Sequence, residues 1–329
     1  MEVLRITRPG GPDVLATDER PDPVPGPSDL LVRVRATALN RADLLQVRGH
    51  YSAPPDVAPD VPGLEYAGEV VAVGPRARRF KVGDRVMGLV GGGAWADLLV
   101  THEREALPMP EGFDFTDAAA LPEVYLTAYD ALVLQGGLRA GETVLIHAVA
   151  SGVGSAAALL CQASGARVVG TGRNAAKLAR ASDWGVARTV LCEASPPRFA
   201  DAVREETGGR GADLCLDLVG GDYVPQTLEA LAPQGHLLLV GLVAGARVDV
   251  DLGTLLRKRL RLTATVLRSR PPEEKMALAQ SAERHLLPLF RSGALRPVVD
   301  AVLPRAQLRE GLERMARNDS VGKLVVRWA

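Results

Sequence analysis

The chain has 329 residues and a formal net charge of zero, with 39 basic and 39 acidic side chains. This length has room for two domains, and the balanced charge gives no electrostatic support for general binding to nucleic acid or to a membrane surface. The N-terminal segment lacks the apolar core of a secretion signal and no apolar run is long enough to span a membrane, so we expect a cytoplasmic protein without a membrane partner.

The first third of the chain is predicted to be rich in β-strands. Apolar runs typical of strands occupy residues 30–35, 68–73, 85–89 and 95–100, and glycine and proline separate them at short intervals. This spacing indicates a small barrel-like fold. A helix is then predicted to begin near Thr116, and a second helix covers residues 122–135 and ends at Gly136.

Strands and helices alternate in the middle of the chain, which predicts a doubly wound parallel sheet of the α/β class. The predicted strands are residues 144–146, 168–171, 189–191, 214–218, 237–240 and 262–267, and the predicted helices include 174–184 and 200–207. Helices at 273–287 and 305–317 and a strand at 323–327 end the chain. We therefore predict a β-rich domain in residues 1–121, a nucleotide-binding domain in 122–268, and a return to the first domain in 269–329.

A glycine turn follows the first strand of the predicted sheet. Gly152 and Gly154 lie between that strand and a helix of small residues, an order of elements that holds a dinucleotide pyrophosphate at a helix N-terminus. The full G-x-G-x-x-G pattern is incomplete, because residues 149–151 occupy the run before Gly152. An ordinary strand-to-helix turn is the alternative, but the flanking strands and the helix favour a nucleotide site.

The second strand of this unit ends without an acidic residue. Gly172 and Arg173 stand where an Asp or Glu usually binds the free 2′-hydroxyl of NADH, and Lys177 follows four residues later. Two cations beside a missing acid are typical of a 2′-phosphate site, which predicts NADPH as the cofactor. Alternatively, each of the two is a solvated helix residue.

Four segments carry a resemblance to a known family. They are residues 38–43 (ALNRAD), 62–65 (PGLE), 147–154 (HAVASGVG) and 267–270 (LRSR). Together they resemble the zinc-free quinone oxidoreductase, or zeta-crystallin-like, branch of the medium-chain dehydrogenase/reductases, over essentially the whole chain. The resemblance implies a GroES-like β-rich catalytic domain, a Rossmann domain for NADPH, and a cleft between the domains where the nicotinamide meets a small quinone. It also implies a homodimer or homotetramer with residues 262–267 at the subunit contact.

The same resemblance argues against a catalytic metal. The zinc-dependent branch has a Cys and a His at positions that correspond here to Asn40 and Leu64, and these two side chains cannot replace a thiolate and an imidazole. The three cysteines, Cys161, Cys192 and Cys215, are widely spaced in apolar contexts and are expected to be core residues. We expect no metal, a composite site built from distant residues being the alternative.

Four residues are the candidates for catalysis. Tyr51 lies in a loop where its phenol can donate to a quinone oxygen, although it is alternatively a surface aromatic residue. Asn40 has an amide at the former metal position, and Asp43 either orients that amide or caps the next helix. Ser151 in the glycine turn either contacts the cofactor or substrate or satisfies a local backbone group.

The predicted cofactor contacts lie in both halves of the chain, and most of them follow strand ends. His147, inside the strand before the turn, is expected to be a hydrogen-bonded core residue, and Cys192 stands where relatives often have a tyrosine. The predicted contacts are Thr127, Ser151, Gly152, Val153, Gly154, Gly172, Arg173, Lys177, Cys192, Val219, Gly241, Leu242 and Asn318.

The sequence thus predicts a zinc-independent NADPH:quinone oxidoreductase that transfers hydride to a small quinone or another electrophile. A quinone already stabilises the charge that hydride delivers, so it needs neither a metal nor a strong base. The first alternative is an enoyl or 2-alkenal reductase that acts on an activated C=C bond. The second is a non-catalytic NADPH-binding protein with a crystallin-like or RNA-binding role, against which the absence of a basic stripe counts.

Overall fold

The computed structural model describes residues 1–55 and 57–328 of the chain. Its strands, in chain order, are β1 (Glu2–Ile6), β2 (Leu15–Glu19), β3 (Asp29–Ala38), β4 (Glu65–Val73), β5 (Arg85–Leu89), β6 (Leu98–His102), β7 (Leu107–Pro108), β8 (Thr143–Ile146), β9 (Arg167–Gly172), β10 (Val186–Leu191), β11 (Ala212–Asp217), β12 (Leu231–Leu239), β13 (Arg261–Ala264), β14 (Val299–Pro304) and β15 (Lys323–Arg327).

The helices lie mainly in the second half of the chain. The α-helices are α1 (Arg41–Val47), α2 (Phe115–Ala119), α3 (Pro122–Ala128), α4 (Gly152–Ala163), α5 (Ala175–Ala179), α6 (Ala200–Glu206), α7 (Tyr223–Ala230), α8 (Leu252–Lys258), α9 (Pro272–Arg291) and α10 (Leu308–Ala316). A π-helical segment, Tyr129–Gln135, continues α3, and short 3₁₀ segments cover Pro12–Val14, Arg180–Trp184 and Arg305–Gln307.

The chain divides into two compact units. Unit 1 contains Met1–Leu126, Leu267–Gly293 and Pro297–Ala329, and unit 2 contains Thr127–Val266 and Ala294–Arg296. The predicted divisions, after residues 121 and 268, lie within five residues of these, and tertiary contacts account for the differences. The start of α3 belongs to unit 1 because the Tyr125 ring packs edge-to-face on Phe290, with centroids 4.8 Å apart. Arg268 belongs there because it donates to the Gly91 carbonyl.

Unit 1 is built around a sheet in which antiparallel pairing predominates. Its strands follow the order β14-β15-β3-β4-β5-β7, with β6 also paired to β3, and β1 and β2 form a separate hairpin. Along β3, Leu30, Val32 and Val34 are fully buried while Arg33 between them is exposed, as expected for a strand with one face on the core. The predicted β-rich first third is confirmed.

Unit 2 is a parallel sheet of the order β10-β9-β8-β11-β12-β13. Every neighbouring pair in it is parallel, which confirms the predicted doubly wound sheet. The central strand β8 is apolar after Thr143, and Val144, Leu145 and Ile146 are fully buried, as in a strand covered by helices on both faces. The carboxyl ends of these strands form the edge at which this fold binds ligands.

Several predicted boundaries are wrong. The strand predicted at 95–100 is β6, which begins at Leu98, because Trp95 leaves the strand and donates its backbone N–H to Pro62. The predicted strand 237–240 is longer and begins at Leu231, whereas the strand predicted at 262–267 ends at Ala264. The hairpin of β1 and β2 and the helices α7 and α8 were not predicted, and α1 was predicted only as a helix that Asp43 caps.

The cysteines and the apolar segments agree with their predictions. Cys161, Cys192 and Cys215 are all free thiols in buried positions, which confirms them as core residues. Among the helices in the described part of the chain, none is long and apolar enough to cross a membrane.

Candidate functional site

The glycine turn between β8 and α4 has the geometry of an anion-binding helix N-terminus. Ser151 is the N-cap of α4, and its Oγ accepts the Gly154 N–H at 3.1 Å. A Cβ at Gly154 would lie 2.5 Å from the Ala148 carbonyl oxygen, so a side chain there would push the helix away from the turn. The first N–H groups of a helix have no partner within it and, with the helix dipole, favour phosphate.

Ser151, Gly152 and Val153 are therefore at the end of α4 that can hold a pyrophosphate, whereas Gly154 is buried and its N–H is used by the Ser151 cap. Gly152 and Val153 form the first turn of α4 and are partly exposed. The Ser151 oxygen is an acceptor in the cap, which leaves its O–H bond available to donate to a ligand. The cap thus satisfies the local backbone without excluding the predicted contact.

His147, which ends the strand-like run before this turn, is a hydrogen-bonded core residue, as predicted. Its ring is fully buried, with Nδ1 2.9 Å from Thr171 Oγ1 and Nε2 2.8 Å from Thr227 Oγ1. Thr227 uses its own proton on the Tyr223 carbonyl, so it accepts from Nε2–H of the imidazole. Burial lowers the pKa of His147 to about 4, which keeps the ring neutral.

The predicted 2′-phosphate residues follow β9. Arg173 is exposed and Lys177 is partly exposed, and Asn174 between them caps α5 by accepting the Lys177 N–H at 3.1 Å. A Cβ at Gly172 would lie 2.8 Å from Leu178 Cδ2, which explains a glycine at the end of the strand. Arg173 thus precedes the N-cap of α5, and Lys177 lies within that short helix. The end of β9 beside them has no carboxylate.

Cys192 directs its thiol into the core rather than toward the surface. It follows β10, is buried with Phe199 and Tyr223, and its Sγ lies 3.8 Å from the Val190 carbonyl oxygen. Burial raises the pKa of this thiol to about 11, so it is not a thiolate at neutral pH. Only the backbone of Cys192 is therefore available for the predicted cofactor contact.

The segments after β11 and β12 are fastened to Asp217, a buried residue that the sequence analysis did not identify. Its Oδ1 accepts the N–H groups of Val219 at 2.8 Å and Gly220 at 2.9 Å, and its carbonyl accepts that of Gly241 at 3.2 Å. Val219 and Gly241 thus lie at the carboxyl edge of the sheet beside exposed Leu242, where the fold places ligands.

Thr127 and Asn318 lie in different environments. Thr127 is buried near the end of α3. Asn318 is exposed directly after the C-cap of α10, has a positive φ of 57°, and accepts a hydrogen bond from Arg41 at 2.7 Å. An asparagine in this conformation ends a helix, so Asn318 has a local structural role in addition to the predicted cofactor contact.

Asn40 belongs to a buried ionic network in unit 1. The Lys323 ammonium donates to Asn40 Oδ1 at 2.6 Å, to Glu65 Oε1 at 2.6 Å and to the Leu39 carbonyl at 2.9 Å. Asn40 Nδ2 donates in turn to Glu65 Oε1 at 2.8 Å. Glu65 is fully buried and Lys323 is 4% exposed, so both ends of the Asn40 amide are used to hold a buried ion pair.

Asp43 is buried and supports the backbone around this network. One carboxylate oxygen accepts the Asn40 N–H at 2.8 Å, and the other accepts the Gly63 N–H at 3.1 Å. The first bond is made across the start of α1, so the helix-capping alternative describes Asp43 in this structure. The second bond holds the segment before β4 against α1.

Tyr51 is partly exposed and packs against a buried arginine. The Arg268 Cζ lies 4.9 Å from the centroid of its ring, within the range of a cation–π contact. Burial raises the pKa of the phenol, while the positive charge of Arg268 lowers it. The phenol is therefore protonated at neutral pH and able to donate a hydrogen bond.

Glu123 adds a second titratable group to unit 1. Its backbone N–H donates to Glu65 Oε2 at 2.8 Å. Burial and the nearby carboxylate of Glu65 raise the pKa of the Glu123 carboxyl to about 7. This group exchanges a proton close to neutral pH.

Three charged residues of the site were missed as functional candidates, namely Glu65, Lys323 and Arg268. Glu65 and Arg268 lie in two of the segments that carry the resemblance, and Lys323 lies in the last predicted strand. A charged side chain within an apolar run was the available signal, as for Lys323 in the sequence VGKLVVRW. This signal does not by itself predict burial, because charged residues are rarely fully buried unless they are paired, and the partner of Lys323 is distant in sequence.

Two family models match the chain. One is described as "Alcohol dehydrogenase GroES-like domain" and matches residues 26–111, and the other, "Zinc-binding dehydrogenase", matches residues 152–283. These matches confirm the predicted combination of a GroES-like domain with a parallel-sheet Rossmann-type domain. Among the described residues, no group of three or more His, Cys, Asp and Glu side chains is arranged to hold a metal ion.

The chain is similar to known proteins over nearly its whole length. It is 35% identical over 321 residues to a quinone oxidoreductase of Pseudomonas aeruginosa, covering 96% of each chain. A mycobacterial protein crystallised with NADPH has a TM-score of 0.88 and 28% identity over the whole of both chains. An enoyl reductase named CurK also has a TM-score of 0.88, with 26% identity over 99% of this chain and 98% of that one.

We predict that Lys323→Met destabilises the protein by about 3–5 kcal/mol, because it leaves the Glu65 carboxylate buried without its cation. Urea denaturation of the full chain measures the loss. Lys81→Met, at an exposed position, is the control and is expected to change the free energy of unfolding by about 0.5 kcal/mol or less.

The double variant Glu65→Leu/Lys323→Met removes both charges and is expected to lose less stability than Lys323→Met alone. Equal stability of Lys323→Met and Lys81→Met would contradict the structural role assigned to the pair.

Proposed function

Because this chain belongs to the medium-chain dehydrogenase/reductase superfamily and is an oxidoreductase of that group, we propose that it is a zinc-independent NADPH:quinone oxidoreductase. The observation that carries the proposal is the set of side chains around Asn40, where the zinc-dependent branch binds its metal. The similarity to a quinone oxidoreductase over 96% of both chains supports the same activity.

The residues at this position do not fit a zinc ion. Asn40 and Leu64 offer neither a thiolate nor an imidazole. The Lys323 ammonium lies 2.6 Å from Asn40 Oδ1, so a divalent cation beside that amide would face a positive charge at close range. The proposed reaction therefore uses no metal.

The residues after β8 and β9 do fit NADPH. The first turn of α4, capped by Ser151, suits the pyrophosphate, and Arg173 and Lys177 suit a 2′-phosphate. The bound NADPH of a mycobacterial neighbour supports the same choice of cofactor. When bound, NADPH supplies a hydride, which is two electrons and one hydrogen nucleus.

The reaction then needs a proton for the acceptor oxygen. Hydride addition to a quinone gives a hydroquinone monoanion, and one proton completes the hydroquinone. We assign donation to this oxygen to the Tyr51 phenol, which is partly exposed and protonated at neutral pH. Ser151 retains an O–H bond that can donate to the cofactor or to the acceptor.

Arg173→Asp is expected to weaken NADPH binding at least tenfold and to improve NADH binding, because a carboxylate repels the 2′-phosphate and accepts from a free 2′-hydroxyl. Fluorescence titration of the full chain with each cofactor measures the two dissociation constants. Arg180→Asp, an exposed charge reversal one helical turn away from Lys177, is the control. An unchanged ratio of NADPH to NADH affinity in Arg173→Asp would refute the cofactor assignment.

Tyr51→Phe is expected to lower kcat/KM for a quinone by about 10–100-fold and to leave the NADPH dissociation constant unchanged, because only the proton donor is removed. Tyr66→Phe, which removes a phenol oxygen buried within β4, is the control. Steady-state rates with a series of quinones provide the measurement, and equal rates for both variants would exclude Tyr51 as the donor.

An enoyl or 2-alkenal reductase is the second candidate, favoured by the structural similarity to the CurK enoyl reductase. The same hydride and proton donor serve an activated C=C bond. Rates with 2-alkenals and enoyl thioesters, measured beside the quinones, decide between the two. A kcat/KM for alkenes tenfold above that for every quinone would replace the first proposal by the second.

We also propose that two copies associate through β13, the edge strand of the unit 2 sheet. It pairs with β12 on one side, and Leu262 on it is 50% exposed, so an open strand edge with an exposed leucine is available for a second chain. Leu262→Glu is expected to convert a dimer or tetramer to smaller species in light scattering, whereas Val82→Glu, at an exposed position in unit 1, is not. A monomeric wild-type chain would refute this assembly.

A further inference from the structure

Arg268 is a buried charge of unit 1 to which the proposed reaction assigns no role. Its side chain is 7% exposed, Nε donates to the Gly91 carbonyl at 2.7 Å, and Nη2 donates to Gln46 Oε1 at 2.6 Å. Gln46 is itself buried on α1 and donates through Nε2 to the Pro59 carbonyl at 2.9 Å. Two fixed acceptors thus hold the plane of the guanidinium.

This guanidinium lies against Tyr51. Tyr51 is in the segment between α1 and β4, where neither a helix nor a strand positions it. Its ring centroid is 4.9 Å from Arg268 Cζ, and this face-on contact gives the phenol a support that its own backbone does not supply.

The Arg268 side chain also keeps one unused donor. Within residues 1–55 and 57–328, its buried Nη1 has no hydrogen-bond partner. A buried charged donor without a partner is costly, and such groups persist where the position serves another purpose. The two hydrogen bonds of Arg268 explain how it is held in unit 1, but they do not explain its contact with the Tyr51 ring.

We propose that Arg268, held by Gln46, is a positioning residue that fixes the Tyr51 phenol for proton donation. The inference rests on the proposed function, in which Tyr51 donates to the acceptor oxygen. It adds to that function the group through which the loop tyrosine is oriented.

The charges around the phenol determine the sign of the electrostatic effect. Among residues 1–55 and 57–328, two charged groups act on Tyr51: the guanidinium of Arg268 lowers its pKa, and the carboxylate of Glu123 raises it. When the phenol O–H bond breaks, the proton goes to the acceptor oxygen and the tyrosinate remains until water returns a proton. The nearby positive charge stabilises that tyrosinate, so the transfer becomes easier.

Arg268→Met, Arg268→Lys and a matched control test the proposal in the full chain. The control is Arg85→Met, because the Arg85 Cζ also stacks on an aromatic ring, that of Phe115, at 4.6 Å, and Arg85 likewise donates to a backbone carbonyl. Ultraviolet titration follows tyrosinate formation in each protein, and the difference from the corresponding Tyr51→Phe protein isolates the Tyr51 phenol.

In Arg268→Met the Tyr51 phenol is expected to titrate at higher pH than in the wild type. The alkaline limb of the pH profile of kcat/KM for the quinone is expected to move in the same direction. The value of kcat/KM is expected to fall about tenfold or more, and the NADPH dissociation constant is expected to stay unchanged. Arg268→Lys keeps the charge and is expected to restore the phenol titration, and Arg85→Met is expected to change neither.

An Arg268→Met protein whose phenol titration and pH profile match those of Arg85→Met would overturn the inference. If Arg268→Met does not fold, Gln46→Met is used, with the same readouts and a smaller expected loss of kcat/KM. The phenol titration needs no turnover, so it distinguishes a failure of this inference from a failure of the proposed function. A shifted titration without quinone reduction would overturn the proposed function alone, whereas quinone reduction with an unshifted titration would overturn this inference alone.

Discussion

The buried ion pair between Glu65 and Lys323 is the interaction on which unit 1 depends most. The ammonium at the start of β15 meets a carboxylate at the start of β4, and the amide of Asn40 before α1 joins both. The second carboxylate oxygen accepts from Glu123 in α3. The pair therefore joins segments that are 258 residues apart in the sequence. Each of these polar groups is stable in the interior only because the others form an ion pair or hydrogen bonds with it.

Unit 2 obtains its candidate site by different means, because backbone geometry rather than side-chain charge forms it. The absence of a side chain at Gly154 allows α4 to begin next to the Ala148 carbonyl, and the Asp217 carboxylate accepts the N–H groups that follow β11. The N–H groups at the start of a helix are already oriented toward an anion, which is the basis of the proposed phosphate contact. The buried network of unit 1, by contrast, fixes side chains around a partly exposed phenol.

The sequence was sufficient for the elements that are strongly periodic and for the glycine turn. The parallel sheet, the β-rich first third and the buried His147 all follow from local patterns. The role of Asn40 did not, because its partner Lys323 lies 283 residues away in the sequence. The capping bond of Asp43 was one of its two predicted alternatives, whereas its bond to Gly63, 20 residues away, was not predicted. Cys192 was similarly placed at a cofactor position, but its thiol faces the core formed with Phe199 and Tyr223.

By itself, the sequence determined the fold class, the position of the glycine turn before α4 and the absence of an acid after β9, because each is set by residues that are neighbours along the chain. Only the tertiary structure decided which polar groups are used up in holding the protein and which remain for a ligand. Both ends of the Asn40 amide form hydrogen bonds with the buried ion pair, whereas the Tyr51 phenol, which packs on Arg268, is partly exposed. The physical reason is that a buried charge must find its partner wherever the fold brings one.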